Sequence, residues 1–357
     1  MEDDERVRRM RARAQALAGG VRESSVPGVV ARVFAVQAQD RVAADLGIRV
    51  RGRDVAGRDV RAAYEDDRSI VRGWFLRGTL HTVPGADVRW ILRLLAPRIL
   101  AATGRRYAQL GLADALRDRA LVLLRRVLSV HGPLTRAELT GHLSTLGVAP
   151  AGQAAIHLIR HAALNGVLCH GPLRTGEATY VLLDDWLPAT ADSPADEDTA
   201  LAELARRYLA GHAPAAEADF AVWSGLPVTQ ARRAWRMLAR SGAVAECGTL
   251  TVPAGWDIDE SSADLGGTPD VRLLPAYDDY LVGYRNRELS VPAAGQTRVW
   301  PGGGIIRPTV VADGLVIGTW SRRAGVVEMD AFDRMPSEVR RGVDAESAAV
   351  SDFLAPD

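Results

Sequence analysis

Two glutamines one residue apart, Gln37 and Gln39, stand in the otherwise apolar run Phe34-Ala35-Val36-Gln37-Ala38-Gln39-Asp40. A neutral amide does not exchange protons near pH 7, but it offers a carbonyl acceptor and two N–H donors. Such a pair can orient a water, turn a carbonyl oxygen toward positive charge, and donate to a phosphate or a second water. Burying an amide unpaired costs roughly 1–3 kcal/mol, so two in an apolar run need an explanation. On a helix, residues i and i+2 diverge by about 200°, whereas on a strand they share a face. In a bend between two helices they would converge on a pocket. The alternative is a helix end whose glutamines satisfy nearby backbone groups. Asp40 follows directly. It reads as the N-cap of a helix over 41–46, with general base as the alternative.

Few other residues have the types and spacing for chemistry. In Arg77-Gly78-Thr79-Leu80-His81-Thr82, read as a strand, His81 is able to exchange a proton near neutral pH. Hydrogen bonding within the fold is the favoured role for it. His157 and His161 share a helix face at i, i+4, yet Leu158 stands where a zinc peptidase needs Glu and no third ligand is implied. Asp278 and Asp279 are adjacent and so point to different sides of the chain, which argues against a paired acid and base. Gly302-Gly303-Gly304 lacks the Lys-Ser/Thr of a phosphate loop, and no dinucleotide fingerprint occurs. Neither a metal nor a cofactor is expected.

The elements that must position these residues follow a repeated plan of helix, short helix, longer helix and hairpin. The second copy is clearest, with helices over 117–130, 135–147 and 153–165 and strands over 167–170 and 179–183. Thr135 and Glu138 form a capping-box pattern there. The third copy has helices over 199–209, 217–224 and 228–240 and a hairpin around Gly248. The first is looser, with helices near 6–18, 28–36, 41–46 and 59–65 and strands near 70–75 and 79–83. Past residue 268, β-branched residues, Gly and Pro predict strands near 271–274, 305–311 and 315–321, with a turn at Asp313-Gly314 and a polar helix over 336–354. The expected fold is α+β, a tandem array of three winged-helix modules over 1–112, 113–190 and 191–268 with a β-rich C-terminal unit over 269–357. A linker is expected over 190–198.

Composition narrows the class. A chain of 357 residues with 47% hydrophobic content is long enough for two or three globular domains. Formal net charge is zero, which argues against coating nucleic acid by charge alone. Residues 1–110 nevertheless carry 21 arginines against 13 acidic residues, a local excess that suits a phosphate-bearing partner or solvated helix faces. All 44 basic residues are arginine, which we read as coding bias. Two distant cysteines, the lack of a long apolar run and an acidic N-terminus lead us to expect a cytoplasmic protein without a membrane partner. A monomer is the expected state.

Four segments in order carry a resemblance: Gln37-Ala38-Gln39, Arg77-Gly78-Thr79-Leu80-His81-Thr82-Val83, Leu274-Pro275-Ala276-Tyr277-Asp278 and Gly314-Leu315-Val316-Ile317-Gly318-Thr319-Trp320. Together they resemble the AlkZ family of winged-helix DNA glycosylases over nearly the whole chain. The resemblance implies a monofunctional glycosylase acting on double-stranded DNA with an alkylated purine. It implies Gln37 and Gln39 as the catalytic pair, Asp278 as a fixed structural element, and bulky N7-alkylguanine adducts and crosslinks from natural products as substrates. It also implies a DNA-facing hairpin over 309–320, from which Thr309, Asp313 and Gly314 are candidate contacts, although the acidic Asp313 suits phosphate poorly. Third helices of winged modules read DNA, which nominates Arg160, Arg232, Arg233 and Arg236. The competing reading is a non-enzymatic tandem winged-helix regulator.

Overall fold

The computed structural model describes residues 2–188, 194–259 and 268–355, with side chains from residue 4 onward. They pack as two compact units, Met1–Val60 with Leu201–Asp357, and Arg61–Ala200. Residues 190–193 of the expected linker lie outside the described residues, and Glu197 already opens the Glu197–His212 helix. No helix among the described residues is long and apolar enough to cross a membrane. Both cysteines are free thiols, Cys169 buried.

The Arg61–Ala200 unit begins with an antiparallel hairpin of Ile70–Trp74 and Leu80–Pro84, in register Gly73↔His81. Its turn requires φ of 53° at Arg77 and 71° at Gly78. A Cβ at residue 78 would meet Ile99 Cγ2 at 2.8 Å and the Arg160 guanidinium closer still, so only glycine fits. The 22-residue helix Val88–Gln109 follows, where the sequence reading placed no element. Pro97 lies inside it. A proline removes one helical hydrogen bond and ordinarily signals a helix end, but here burial of Trp90, Ile91, Leu95 and Tyr107 holds both halves together. Helices Asp114–His131, Arg136–Ser144 and Ala154–Leu164 then pack around Leu124, Leu128, Leu139, Leu143, Leu158 and Ile159. The Thr135–Glu138 capping box is formed as expected. Strand Glu177–Leu182 pairs with Leu168–Arg174 on one side and Leu134–Thr135 on the other.

The other unit is built on a four-stranded antiparallel sheet ordered Val326–Ala331, Leu315–Arg323, Thr309–Ala312, Val271–Leu274. Alternate residues face opposite sides. Leu273 and Val310 meet Val339, Val343 and Val350 of the Ser337–Phe353 helix, which is therefore apolar on one side rather than polar throughout. Leu274 and Val311 face Ala12, Leu17, Val50 and Tyr280. Burial on both faces explains why these strands read as continuous apolar runs. Strand Val326–Ala331 has no counterpart in the sequence reading, because it is an edge strand with Glu328 and Asp330 exposed. Helices Glu2–Ala14, Val26–Val33 and Arg41–Arg49, the helices Glu217–Ser224 and Val228–Arg240, and the hairpin Val244–Cys247/Leu250–Pro253 complete the unit.

A buried ion pair ties this unit together. Arg51 Nη1 and Nη2 donate to Asp278 Oδ2 and Oδ1 at 2.9 and 2.7 Å, and both side chains are 1% exposed. Arg51 also donates to Gln15 Oε1 at 2.6 Å and to the Gly47 carbonyl at 2.9 Å. Burial alone would weaken the Arg51 cation, but the charge and hydrogen bonds of Asp278, with Asp279 and Tyr284, outweigh it and hold its pKa above the usual value. Asp278→Ala strands this guanidinium and is expected to lower unfolding free energy by about 3–5 kcal/mol in denaturant titration. The double variant Arg51→Met/Asp278→Leu is expected to recover most of that loss, since an apolar pair leaves no buried charge.

Candidate functional site

The site grows from the end of the Val26–Val33 helix. That helix stops at two consecutive non-glycine residues of positive φ, Phe34 at 47° and Ala35 at 77°. Positive φ is disfavoured for residues with a Cβ, so packing must enforce it. Phe34 is fully buried with the Arg207 guanidinium 5.2 Å over its ring. Gly211 brings the Glu197–His212 helix against the Arg32–Val33 backbone, where a Cβ would lie 3.2 Å from Val33 Cα. The chain leaves this turn extended. Val36 and Ala38 point inward and are buried, while Gln37 is half-buried and Gln39 exposed. The shared strand face is thus the arrangement adopted, and Gln37 Nε2 donates to Gln39 Oε1 at 3.0 Å.

Asp40 ends the extended segment as the N-cap of the Arg41–Arg49 helix, accepting from Ala43 N at 3.1 Å. The two adjacent aspartates do separate work. Asp278 takes Arg51 and caps the Asp279–Val282 helix by accepting from Tyr280 N at 2.9 Å. Asp279, also buried, accepts from the Gln37 backbone N–H at 3.3 Å. The sequence reading assigned nothing to Asp279, since a contact spanning so many residues leaves no local pattern. The assembled site contains a coupled pair of neutral amides whose backbone is anchored by a carboxylate.

Other candidates are placed differently. Thr309 is fully buried in the middle of the sheet, between Leu274 and Thr319, and presents no surface to solvent. The Asp313–Gly314 turn has φ of 46° and 78°, as the sequence predicts for a two-residue hairpin, but it faces the protein. Tyr280 Oη donates to the Gly314 carbonyl at 2.8 Å, and Asp313 exchanges hydrogen bonds with Asp270. Thr309 and Gly314 are thus buried, and Asp313 is half-buried with its hydrogen bonds directed to Asp270. The exposed hairpin tip of this sheet is instead Arg322-Arg323-Ala324-Gly325, with φ of 47° at Ala324 and 86° at Gly325.

Arg160 is engaged within its own unit. It packs against Gly78, donates to Thr103 Oγ1 at 3.4 Å, and burial lowers its pKa, so it serves the fold of its own unit. His157 and His161 stand edge-on to Tyr107, and His161 Nδ1 lies 3.2 Å from its hydroxyl. His81 is 1% exposed with Nδ1 3.0 Å from the Thr79 carbonyl. Burial, and then the charge of Arg77, push its pKa down to about 3, so it is a neutral structural group at pH 7. Arg232, Arg233 and Arg236 all lie on the exposed face of the Val228–Arg240 helix, Arg232 within 3.7 Å of Glu217.

A family model for the AlkZ-like DNA glycosylases matches residues 30–353. The chain belongs to the AlkZ-like DNA glycosylase family. The interstrand DNA cross-link repair glycosylase of Streptomyces sahachiroi is 26% identical to it over 354 residues, covering 92% of this chain and 91% of that protein. The solved structure of the Streptomyces sahachiroi DNA glycosylase AlkZ shares its fold, with a TM-score of 0.80 at 24% identity over 98% of this chain and 96% of that one. The AlkZ-like chain is accordingly an enzyme acting on N-glycosyl bonds of DNA, and the regulator reading falls.

Two outcomes follow from this geometry. Asp279→Ala removes the acceptor for the Gln37 N–H and is expected to slow base excision on the order of tenfold, the value of one charge-assisted hydrogen bond. Asp279→Asn keeps an acceptor and should restore most of the rate in single-turnover assays. The buried histidine sets a pH dependence. Unfolded histidine protonates near pH 6.5, whereas His81 in the fold resists protonation down to about pH 3. Below pH 6.5 the unfolded state therefore binds the extra proton, and stability falls by about 1.4 kcal/mol per pH unit for such a group. His81→Gln should reduce the slope of urea-unfolding stability between pH 6 and 5, a window in which carboxylates have barely begun to titrate; an unchanged slope would contradict the neutral assignment.

Proposed function

We propose that this enzyme is a monofunctional glycosylase that hydrolyses the N-glycosidic bond of bulky cationic N7-alkylguanine adducts and interstrand crosslinks, leaving an abasic site. The observation that carries the reading is the Gln37–Gln39 amide pair, hydrogen-bonded on one face of an extended segment. An unmodified base is a poor leaving group and needs an acid. Guanine alkylated at N7 is already cationic and departs neutral, so the acid is dispensable. What remains is to hold a water at the anomeric carbon and to turn dipoles toward the developing oxocarbenium ion, and a carbonyl oxygen serves both ends. Asp40 is engaged as a helix cap, which leaves the chemistry to the amides.

The relative from Streptomyces sahachiroi, by name a cross-link repair glycosylase, supports crosslinks as substrates. The same resemblance suggests self-resistance to a genotoxic natural product as the biological role. We read the helix-and-hairpin repeats as three winged-helix modules that hold double-stranded DNA by its backbone. The exposed Arg232, Arg233 and Arg236 and the Arg322–Arg323 tip supply cations for phosphate.

The test is excision from duplexes carrying N7-alkylguanine, a crosslink, uracil or 8-oxoguanine, read as alkali-labile breaks. Cleavage of the two cationic substrates alone is expected. Gln37→Ala and Gln39→Ala should each lower the single-turnover rate on the order of a hundredfold, comparable to losing one preorganised dipole, with folding and DNA affinity retained. Borohydride should trap no lysine–DNA adduct, since the sequence contains no lysine. A variant with wild-type rates would remove that glutamine from the mechanism.

A further inference from the structure

Beside the amide pair lies a cavity of about 380 Å³, within the size range of small-molecule sites. Asp40, the residue after Gln39, stands on its wall together with Val42 and Leu46 of the same helix. Pro275 and Ala276 form another side, just ahead of the Asp279 that anchors Gln37. The two segments that set the amide pair therefore also bound the cavity. Its third side is the sheet, with Trp320 and the hairpin tip at Arg322.

The chemistry of the walls is divided. Trp320 Nε1 already donates to the Leu274 carbonyl at 2.8 Å, so its indole offers hydrocarbon surface rather than an unmet donor. Val42 is 52% exposed, an aliphatic side chain left in solvent on a helix whose other apolar residues pack inward. Leu354 also lines the cavity. At the rim, Arg322 Nε donates to the Gly325 carbonyl at 3.3 Å, which holds the guanidinium at the hairpin tip. The lining thus combines apolar surface from Val42, Leu46, Trp320 and Leu354 with the Asp40 carboxylate and the Arg322 guanidinium, which suits an uncharged group against the wall and a phosphate at Arg322.

We propose that this cavity is a subsite for the part of the lesion that projects beyond the alkylated base, an apolar and preferably aromatic substituent carried on the N7 alkyl group, while Arg322 meets the DNA backbone. The inference rests on the reading that the substrate is a bulky N7 adduct. Val42 lies three residues beyond Gln39 on the cavity wall, and covering its exposed side chain removes apolar surface from water. The subsite would favour bulky lesions over small ones by binding, without any change in the chemistry at the amides.

Binding to uncleavable duplexes isolates the effect. A 2′-fluorinated nucleotide carrying N7-benzylguanine is compared with its N7-methylguanine counterpart, using the full chain. Wild type is expected to bind the benzyl duplex on the order of tenfold more tightly, the value of burying one small aromatic group. Val42→Gln, on the surface, and Leu354→Gln, half-buried near the chain end, should each bring the ratio close to one while moving affinity for the methyl duplex less than about twofold. A wild-type ratio near one overturns the subsite, as does an equal loss of affinity for both duplexes, which would mean the walls hold a normal base or backbone. A preserved benzyl preference, combined with no excision of N7-benzylguanine from the unfluorinated duplex, upholds the subsite and removes the bulky-adduct reading instead.

Discussion

The Arg51–Asp278 pair is the constraint on which the unit bearing the glutamines depends. A guanidinium and a carboxylate that are each 1% exposed are tolerable only when geometry satisfies nearly every donor and acceptor. Here the fork is filled from three directions: the segment at Gln15, the helix carbonyl of Gly47 and the loop at Asp278. Moving Asp278 strands the charge, and moving Gln15 or Gly47 leaves a buried donor with one acceptor fewer. The pair thus fixes where the Arg41–Arg49 helix lies relative to the Leu274–Asp279 segment, and both flank the glutamines. Through Asp279, one residue beyond, the same loop reaches the Gln37 backbone. Two neighbouring aspartates are needed because one neutralises the buried cation while the other anchors the extended segment.

The second constraint is the turn at Phe34 and Ala35. Two adjacent residues at positive φ are a concentrated departure from ordinary backbone preference, and neither is a glycine. Their effect is to break helical phase, so that Val36 and Ala38 enter the core while Gln37 and Gln39 share the other side. Had the helix continued, the glutamines would have pointed apart and could not have bonded to one another. The coupled pair is a product of this turn and of the packing by Gly211 and Arg207 that sustains it.

Much of this was legible in the sequence, and the omissions have physical causes. The helices Glu217–Ser224 and Val228–Arg240 and the strand Val271–Leu274 fall at the boundaries that local pattern suggests, because the apolar period and the breakers Gly225, Pro227, Gly242 and Pro275 agree there. The Val88–Gln109 helix was hidden by Pro97, whose local penalty is overridden by burial that only the tertiary structure supplies. The Val326–Ala331 strand was hidden because it lies at the sheet edge, where the exposed Glu328 and Asp330 interrupt the apolar pattern. In the site, the spacing of the glutamines left a strand, a bend and a helix end all open, whereas Asp40 was readable from its capping position. Arg51 and Asp279 were not, since their partners lie more than two hundred residues away.

The two hairpins of the sheet show how the same turn geometry is turned to opposite ends. Asp313-Gly314 and Ala324-Gly325 both adopt paired positive φ values, yet the first is held inward by Tyr280 and Asp270 while the second stands in solvent directly after Arg322 and Arg323. A strong turn signal in sequence therefore marks where the chain reverses and says nothing of which reversal meets a ligand. What decides it is the neighbour: Gly314 has no room even for a Cβ, with Tyr280 Oη 2.6 Å from that position. The outward tip, by contrast, borders the cavity beside Asp40. On the proposed reading, a neutral amide pair on an exposed segment needs no enclosing pocket to tune an acid, so its surroundings are at liberty to be open. An open site with a cationic tip at its edge can admit a lesion too large to be flipped into a closed pocket.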